Sequence, residues 1–469
     1  MISFNRSQAL FYALSVYYVY YVYENLFVRT LYKRTSLMDE LIIAGLVGLA
    51  AISGAPRRDV SVWFRVALIG AATFLAASIL STQFSHVPHF PKISAMRSGL
   101  IIDLKPFAAF FAIYFILHGS REWRGLRVLM ATLAAIAAVN SLFVLRDIAV
   151  GGVNMHGTQL QMRAGVPLGT GLFHHKVESV QMTLLGFASA LGFAFFQPGA
   201  RSLRLAFAAL AVWLGGITIA HLSVKEIFAV ALIGLLAPMG LSSLRPSAKV
   251  FGVVCVFAAG GVAIAVGPPS IRDSITSRLA IYTTDEKTEL TVRARSYTAA
   301  AEIASDNFPL GVGPGTFLSA PSRAPVFSPI YHQYGISRLD GGTPDNPIYL
   351  LDTFWPKIVG ESGWLGFLGY GAFVIALAGA SVRWWLADQG GASVLSFSVL
   401  SAAIVSSIGD SIMPNERFAV MIGLAGALAV LGCEMRAHGL TAPGSAARGA
   451  MVRPRSFGAQ SVPAPSAQG

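Results

Sequence analysis

The stretch VWFRVALIGAATFLAASIL, residues 62–80, decides the fold class of this chain. It carries a single charged residue, Arg65, and its length matches the ~20 apolar residues that a helix needs to cross the hydrocarbon core of a bilayer. Runs of this kind recur along the sequence. The stretch therefore predicts a transmembrane helix, and its recurrence predicts a protein with many spans.

The composition of the whole chain also indicates a membrane protein. Of its 469 residues, 54% are hydrophobic and only 12% are charged, whereas soluble domains usually carry about 25% charged residues. This leaves too little polar side chain to cover a water-soluble surface. We therefore predict an all-α polytopic membrane protein rather than the two or three soluble domains that the length alone would suggest.

Length and apolarity predict about twelve spans, with one large outer loop between spans nine and ten. The first apolar run is rich in tyrosine and lacks a small-residue cleavage site before Glu24, so it is interpreted as a retained span rather than a signal peptide. The predicted spans are residues 8–28, 38–54, 62–80, 100–118, 127–147, 175–196, 203–221, 224–242, 249–267, 359–380, 392–411 and 416–434.

Positive charge in the short loops sets the predicted orientation. Lys and Arg are concentrated in alternate connections, as at Arg57 and Arg58, and in the tail after Met435, which places both termini in the cytoplasm. Because scattered basic residues of this kind act as topology signals, the formal charge of +12 does not predict a nucleic-acid partner. Residues 435–469, rich in Ala, Gly, Ser and Pro, are predicted to be a disordered cytoplasmic tail, which leaves 1–434 as the transmembrane domain.

Residues 268–358 form the predicted large periplasmic loop. Loops of this length in compact proteins are usually either functional or disordered. Aromatic residues and a helical periodicity between Leu290 and Ser305 favour an ordered loop. We therefore expect the chemistry of the protein in this loop, together with smaller outer loops at 81–99 and 148–174.

The stretch PLGVGPGTF, residues 309–317, invites comparison with phosphate-binding loops. A Walker loop would place Lys before its closing Ser or Thr, but here Thr316 follows Gly315 directly. A dinucleotide fingerprint would follow a strand and open a helix, and it would lie on the side of the membrane where nucleotides are abundant. This segment lies in the predicted periplasmic loop instead. A structural turn that ends the preceding helix is favoured, because glycines supply positive φ. The predicted turn residues are Pro309, Gly311, Gly313 and Gly315.

Charged residues of the large loop are candidates for a functional site. Arg293 and Arg295 stand two positions apart on a predicted helix, so their side chains point about 200° apart. One of them is expected to face a site while the other faces water or lipid headgroups. Asp345, Asp352 and Glu361 lie close to the outer membrane boundary. For each of these residues, a solvated or snorkelling side chain is the competing interpretation.

Other basic residues lie on outer loops or at the outer ends of spans, namely Arg163, Lys176 and Lys225. Each would cost desolvation energy if it were buried alone. If they converge with Arg293 and Arg295, they form a cationic pocket for a polyanionic headgroup, because arginine binds phosphate in a bidentate manner.

No metal site or cofactor is predicted. His174 and His175 are adjacent, but no third ligand has a suitable local spacing. Cys255 and Cys433 fall in predicted spans and show no metal or disulfide pattern, so they are interpreted as buried apolar residues.

The motifs between residues 290 and 370 resemble those of the O-antigen ligase and polymerase superfamily of bacterial envelope glycosyltransferases. Arg293 precedes the aromatic Tyr297 by four positions, and an alanine-rich helix and PLGVGPGTF follow. A polar-Asn-x-x-Tyr-Leu motif, with Asn346 and Tyr349, then leads to ESGWLGFLGY. The order of these motifs and the late outer loop are together similar to the family.

The resemblance also covers the start of one span and the overall topology. Ser223 and Lys225 stand where the family often has Ser-Arg. About twelve spans, cytoplasmic termini and one large outer loop are similar to the family's architecture. The resemblance implies a location in the bacterial inner membrane, with the active face in the periplasm.

A metal-independent glycosyl transfer is the reaction that the resemblance implies. The donor is a glycan linked through pyrophosphate to undecaprenol; a sugar hydroxyl attacks the anomeric carbon, and the lipid pyrophosphate leaves. The implied partners are this undecaprenyl-pyrophosphate-linked oligosaccharide and membrane lipid, together with chain-length regulator and flippase proteins.

Roles for individual residues follow from the resemblance. Arg293 is expected to clamp the pyrophosphate, because preplaced positive charge stabilises the leaving group. Arg295 and Lys225 are expected to support this clamp. Asn346 and Tyr349 are expected to bind substrate, as are Arg163 and Lys176 of the cationic pocket.

The expected general base departs from the family's pattern. Ligases of the family commonly place a His before the Asn of the loop motif, whereas this chain has Asp345, with an extra residue in the spacing to Tyr349. A carboxylate can also act as a base. Asp345 is therefore the expected base, His332 and His174 are alternatives, and the polymerase side of the family is favoured.

Three functions remain open. The first is a polymerase that joins lipid-linked repeat units into O-antigen, capsule or exopolysaccharide, and the second is a ligase that transfers glycan to a lipid A core or another acceptor. The third is a lipid-linked oligosaccharide flippase or transporter, which would usually carry charges at several mid-span positions. A purely structural scaffold would leave the placement of the Arg and Asp residues without a role.

Overall fold

A computed structural model describes most of the chain. It describes residues 5–28, 38–53, 60–85, 87, 90–118, 123–163, 166–195, 201–221, 224–239, 291–323, 326–388, 390–409, 411–413 and 415–440. The predicted span 249–267, the first part of the predicted loop (268–290), Cys255 and almost all of the predicted tail lie outside these residues.

Most of the described residues are helical, which confirms the prediction of an all-α fold. In chain order, the α-helices are α1 (Arg6–Tyr23), α2 (Met38–Ser53), α3 (Val62–Phe84), α4 (Lys92–Leu117), α5 (Arg124–Val150), α6 (Lys176–Ala194), α7 (Arg201–Ala220), α8 (Val224–Met239), α9 (Val292–Asp306), α10 (Ala320–Arg323), α11 (Pro329–Gln333), α12 (Trp355–Ala387), α13 (Gly391–Ser407) and α14 (Glu416–Ala437). A π-helical turn, Glu24–Val28, extends α1, and a 3₁₀ turn, Ile336–Arg338, follows α11. The one ladder among the described residues pairs β1 (Met162–Arg163) with β2 (Val166–Pro167) in antiparallel fashion.

Seven of the described helices are long and apolar enough to cross a membrane, which fits a multi-pass membrane protein. They are α3, α4, α5, α6, α7, α12 and α14. Every predicted span other than 249–267 coincides with a described helix. The number of spans, about twelve, stays a prediction.

Small residues let the long helices pack with their backbones close together. A Cβ atom added to Gly70 of α3 would lie 2.6 Å from the carbonyl oxygen of Gly369 in α12. A Cβ atom on Gly423 of α14 would lie 2.7 Å from the Ala109 side chain of α4. Close approach at small residues is how helices associate in a lipid environment, where apolar surface gains little from leaving the solvent. Cys433 of α14 has a free thiol that donates to the Ala380 carbonyl oxygen, at 3.3 Å.

Residues 291–354, the described part of the predicted loop, fold onto one side of the helix bundle, which we call the loop side. Their hydrophobic core includes Ile303, Phe317 and Tyr331 and is shared with residues at and just before the start of α4, such as Ala95. The helix α9 packs against α12, and Ser85, at the end of α3, donates to the Val312 carbonyl oxygen at 2.8 Å. The loop is therefore folded in this part and attached directly to the membrane helices.

A break in α12 is the point where the loop is attached. Gly363 has φ 70° and ψ −171°, which interrupts the helix inside its apolar length. Such a break frees backbone carbonyl and N–H groups that need new partners. The carbonyl oxygens of Gly360 and Glu361 accept from the N–H groups of Val312 (3.0 Å) and Gly313 (2.8 Å). Residues 309–317, which we call the glycine segment, therefore take the place of the missing helical turn.

Close packing on the other side explains the glycines of this segment. The Gly311 N–H donates to Ser81 Oγ of α3 at 3.0 Å, and a Cβ atom on Gly311 would overlap the backbone of α12 at Gly360 and Glu361. Gly315 has φ 82°, and a Cβ atom there would overlap the Ala95 carbonyl group of α4. The predicted turn is thus also a buried contact between three helices.

Gly315→Ala should destabilise the protein, because the new methyl group meets the α4 backbone and alanine disfavours a positive φ. Overpacking of this kind costs about 1–3 kcal/mol, so the melting temperature of the detergent-solubilised protein should fall by several degrees. Gly371→Ala in α12 is the matched control, since a Cβ atom there meets nothing within 4 Å. Equal melting temperatures for the two variants would contradict the close packing.

Candidate functional site

Arg293 and Asp352 form an accessible ion pair on the loop side. Arg293 lies in the first turn of α9, where the Thr291 side chain caps the helix by accepting from the Ala294 N–H at 3.2 Å. Its Nη2 atom lies 3.2 Å from Asp352 Oδ2, and the two side chains are 34% and 36% exposed. A cation of this kind is both oriented by its partner and open to a ligand.

Lys225 reaches the same part of the loop side. Tyr297, one turn after Arg293 on the same face of α9, donates its hydroxyl to the Ile408 carbonyl oxygen at 2.6 Å. Lys225, at the start of α8, donates to the next carbonyl oxygen, that of Gly409, at 3.2 Å, and lies 3.7 Å from Glu226. The helices α8 and α9 therefore meet at the turn after α13. We call Arg293, Tyr297, Asp352 and Lys225 the Arg293–Lys225 cluster.

The remaining predicted cations have partners of other kinds. Arg295 forms a fork with Glu302, with both nitrogen–oxygen distances at 2.9 Å, and donates to the Tyr334 carbonyl oxygen. This arrangement fixes α9 to the rest of the loop. Lys176 donates to Gln161 at 2.6 Å, and Arg163 lies in β1. Arg163 thus belongs to the segment between α5 and α6, and Lys176 is the first residue of α6.

Asp345 lies on an exposed turn of the loop. The next residue, Asn346, shapes this turn, because its N–H donates to the Thr343 carbonyl oxygen and its Nδ2 donates to Asp340, at 3.1 and 3.0 Å. Tyr349 is 46% exposed. The carboxylate that the structure places beside Arg293 is that of Asp352, which the sequence singled out without assigning it a role. The role of Asp345 as base stays a prediction.

A buried charged triad was not foreseen from the sequence. Lys357 of α12 forms a short ion pair with Asp103 of α4, and its Nζ lies 4.0 Å from Glu361 Oε2. These three side chains are only 1–3% exposed. Glu361 was recognised as a carboxylate near the boundary, but its partners were not. Asp103 could have been recognised from the sequence as a candidate functional residue, since it is an ionisable residue inside a predicted span.

A second polar group joins three helices on the loop side. Arg417 of α14 is buried and donates to Glu178 of α6 at 3.0 Å. Its guanidinium carbon lies 3.9 Å from the ring centre of Tyr21 in α1, a cation–π contact. The Tyr18 hydroxyl also donates to the Arg417 carbonyl oxygen, at 2.6 Å. This arginine, too, was missed, because the sequence places it only at the start of a predicted span.

Two histidines stack beside this group. The rings of His156 and His174 are 4.0 Å apart and nearly parallel. The Nε2 atoms of His156 and His174 face the carbonyl oxygens of Leu172 and Asn25, at 3.3 and 3.2 Å. A carbonyl oxygen only accepts, so Nε2 carries the hydrogen in both rings. Burial, and then the charge of His174 when it is protonated, lower the pKa of His156.

The described residues contain no group of three or more His, Cys, Asp or Glu side chains arranged to hold a metal ion. His332, an alternative base, is exposed, and its Nδ1 lies 2.9 Å from Ser337 Oγ. The described residues thus offer cations and carboxylates for chemistry on the loop side, and the metal-independent reaction stays a prediction.

Comparison with known proteins gives no family for this chain. No protein-family model matches it, and no curated protein does.

The His156–His174 pair should make the stability of the protein fall on acidification. The pKa of His156 is lower in the folded protein than its ordinary value of 6.5, so below about pH 6.5 the unfolded chain binds more protons than the folded one. Stability is lost as the pH falls from there toward the lowered pKa, and the loss then levels off.

The measurement is the fall in melting temperature between about pH 7.5 and pH 5.5. We expect a smaller fall for His156→Gln than for the wild type, because that variant no longer has the proton-linked cost. His175→Gln, at an exposed neighbouring position, is the control and should behave as the wild type. An unchanged fall in His156→Gln would show that the pair does not titrate in this way.

Proposed function

We propose that this protein is a membrane glycosyltransferase that polymerises undecaprenyl-pyrophosphate-linked oligosaccharide repeat units into O-antigen, capsule or exopolysaccharide. The observation that carries the proposal is the Arg293–Lys225 cluster, in which Lys225 of α8 and Tyr297 of α9, one turn after Arg293, bind adjacent carbonyl oxygens of one turn on the loop side. Two accessible cations at the end of a membrane bundle are what a lipid-linked pyrophosphate requires from its binding site.

Positive charge at this place also suits the chemistry. As the bond between the anomeric carbon and the pyrophosphate oxygen breaks, negative charge grows on the departing lipid pyrophosphate, and a cation held in advance stabilises that charge without reorganising. Arg293 is held by Asp352, and Lys225 by the Gly409 carbonyl oxygen and Glu226. Arg293 is the clamp in this proposal, Lys225 supports it, and Arg295 acts through the loop that it braces.

The attacking sugar hydroxyl is a weak nucleophile and benefits from a general base. Asp345 is the base that the resemblance suggests, and its exposed turn leaves it open to an acceptor. Asp352 is a second candidate, because its carboxylate is accessible on the loop side beside Arg293, at 3.2 Å, although the ion pair also gives it the role of orienting that arginine. Asn346 and Tyr349 lie on the chain between the two carboxylates and would contact the acceptor glycan.

The proposed location is the bacterial inner membrane, with the loop side in the periplasm and both termini in the cytoplasm. The distribution of charge supports this orientation. Arg124 and Arg201 begin α5 and α7, and Arg436 lies in the last turn of α14, at the side opposite to the loop side. On the same side, Glu434 of α14 accepts from the backbone N–H of Ser61 and from the Tyr114 hydroxyl. Chain-length regulator and flippase proteins are the proposed partners.

A transporter or flippase of lipid-linked oligosaccharide is favoured by one feature, the broken helix α12 with charged residues beside the break. In transporters, the unwound backbone groups face the substrate or its coupling ion. Here the Gly360 and Glu361 carbonyl oxygens accept from the glycine segment instead. This supports a fixed loop platform and hence the enzyme. A ligase would use the same cluster with a different acceptor.

Arg293→Ala should abolish polymer formation while the protein still accumulates in the membrane. Loss of one preplaced charge typically lowers kcat by about 10²–10³-fold, which would remove visible polymer. The measurement is the length distribution of the surface glycan, with protein level followed by immunoblot. Arg338→Ala, at an exposed arginine of the same loop, is the matched control.

The glycan pattern also separates polymerase from ligase. In Arg293→Ala, single repeat units on the final acceptor indicate a lost polymerase, whereas long polymer still linked to undecaprenyl pyrophosphate indicates a lost ligase. Wild-type glycan in Arg293→Ala would contradict both assignments of this residue.

Asp345→Asn and Asp352→Asn separate the two candidate bases. Loss of a general base lowers the rate about 10²–10⁴-fold, so one of the two variants should lose polymer and the other should keep it. Because asparagine is close in size and still accepts a hydrogen bond, either turn should keep its shape. Since Asp352 also orients Arg293, we expect the loss in that variant; full synthesis by both would show that neither carboxylate is a base.

A further inference from the structure

The buried triad of Asp103, Lys357 and Glu361 joins three parts of the molecule that the proposed reaction must keep aligned. We propose that these three residues are positioning residues, which fix the Arg293–Asp352 pair relative to the membrane helices. The inference rests on the proposed function, because the aligned pair is the proposed donor site.

Burial of the triad indicates that it serves geometry rather than stability. Its three side chains are 1–3% exposed, so each has left water almost completely. Taking charges out of water is costly, and buried ion pairs are often replaceable by packed apolar side chains without loss of stability. What an ion pair adds is a fixed register between the elements that carry it.

Glu361 extends the triad to the glycine segment. Its Oε1 atom accepts from the Phe317 N–H at 3.0 Å, and its backbone oxygen accepts from the Gly313 N–H at 2.8 Å. The same residue also faces Lys357 one turn earlier on α12. Through Lys357 and Asp103, the position of the glycine segment is therefore tied to α4.

The first half of α12 transmits this position to the site. Lys357 lies in the first turn of that helix, just after Asp352 and the fully buried pair Thr353 and Phe354. Thr353 and Phe354 connect Asp352 to α12 and are held in the core. A shift of the first half of α12 therefore moves Asp352 with it. Asp352 holds Arg293, and α9 packs along α12. A slip of the triad should thus move both members of the donor site.

The double variant Asp103→Leu/Lys357→Met tests this register. It replaces the ion pair by apolar side chains of similar length, so that neither member of the pair is left without the other, and Glu361 keeps its hydrogen bond from the Phe317 N–H. We measure kcat and KM of the protein in proteoliposomes with undecaprenyl-pyrophosphate-linked repeat units. A 1 Å misplacement costs on the order of 10²-fold, so kcat should fall by that order with KM nearly unchanged and the melting temperature close to that of the wild type.

Rescue by the exchanged pair distinguishes positioning from a loss of stability. Asp103→Lys/Lys357→Asp in a Glu361→Gln background keeps one positive and one negative charge without two facing carboxylates, and it should recover part of kcat. Glu361→Gln keeps an oxygen for the Phe317 N–H and should lose less activity than the double apolar variant. A wild-type kcat in the double apolar variant would overturn the proposal, as would a low kcat accompanied by an equally low melting temperature that the exchanged pair does not restore.

A distance measurement keeps this test independent of the reaction. Spin labels at Ser94 in α4 and Ser305 in α9, both exposed positions, report the separation of the two helices, after replacement of Cys255 and Cys433 by alanine. We expect a narrow distance distribution in the otherwise wild-type protein and a broader or shifted one in Asp103→Leu/Lys357→Met. Identical distributions would overturn the positioning role, whereas an inactive wild type with the expected shift would overturn only the proposed function.

Discussion

Backbone hydrogen bonding at the break in α12 is the constraint on which the rest of the structure depends. A polar backbone group inside an apolar bundle must find a partner, since no water is present to supply one. Gly363 turns the chain out of the helix, and the N–H groups of Val312 and Gly313 take up the freed carbonyl oxygens. The loop is therefore fixed to the membrane helices by the same bonds that repair the helix.

This constraint explains the composition of the glycine segment and the position of the cations. Only residues without a side chain allow the segment to lie against α3, α4 and α12 at once. Once the segment is fixed, α9 is held against α12, and its first turn brings Arg293 to Asp352. Tyr297 and Lys225 then bind adjacent carbonyl oxygens of the turn after α13. The Arg293–Lys225 cluster thus follows from packing that begins several turns away from it.

The sequence predicted what depends on local pattern and missed what depends on distant contacts. Apolar length placed the helices, and outer-loop charge pointed to Arg293 and Lys225. The partners Asp103 and Lys357 are separated by 254 positions, so no local pattern reveals their ion pair. The break at Gly363 was equally hidden, because Gly366, Gly369 and Gly371 of the same helix continue it without interruption. Only the fold shows which glycine leaves the helix.

The most direct test of the account is a reaction with the purified protein in liposomes that contain only undecaprenyl-pyrophosphate-linked repeat units. If the protein is a polymerase, a ladder of products should appear, and one undecaprenyl pyrophosphate should be released for each glycosidic bond formed. The same ladder should form without added metal or nucleotide. Transfer of intact lipid-linked units between leaflets, without any ladder or released lipid pyrophosphate, would contradict the assignment to a glycosyltransferase.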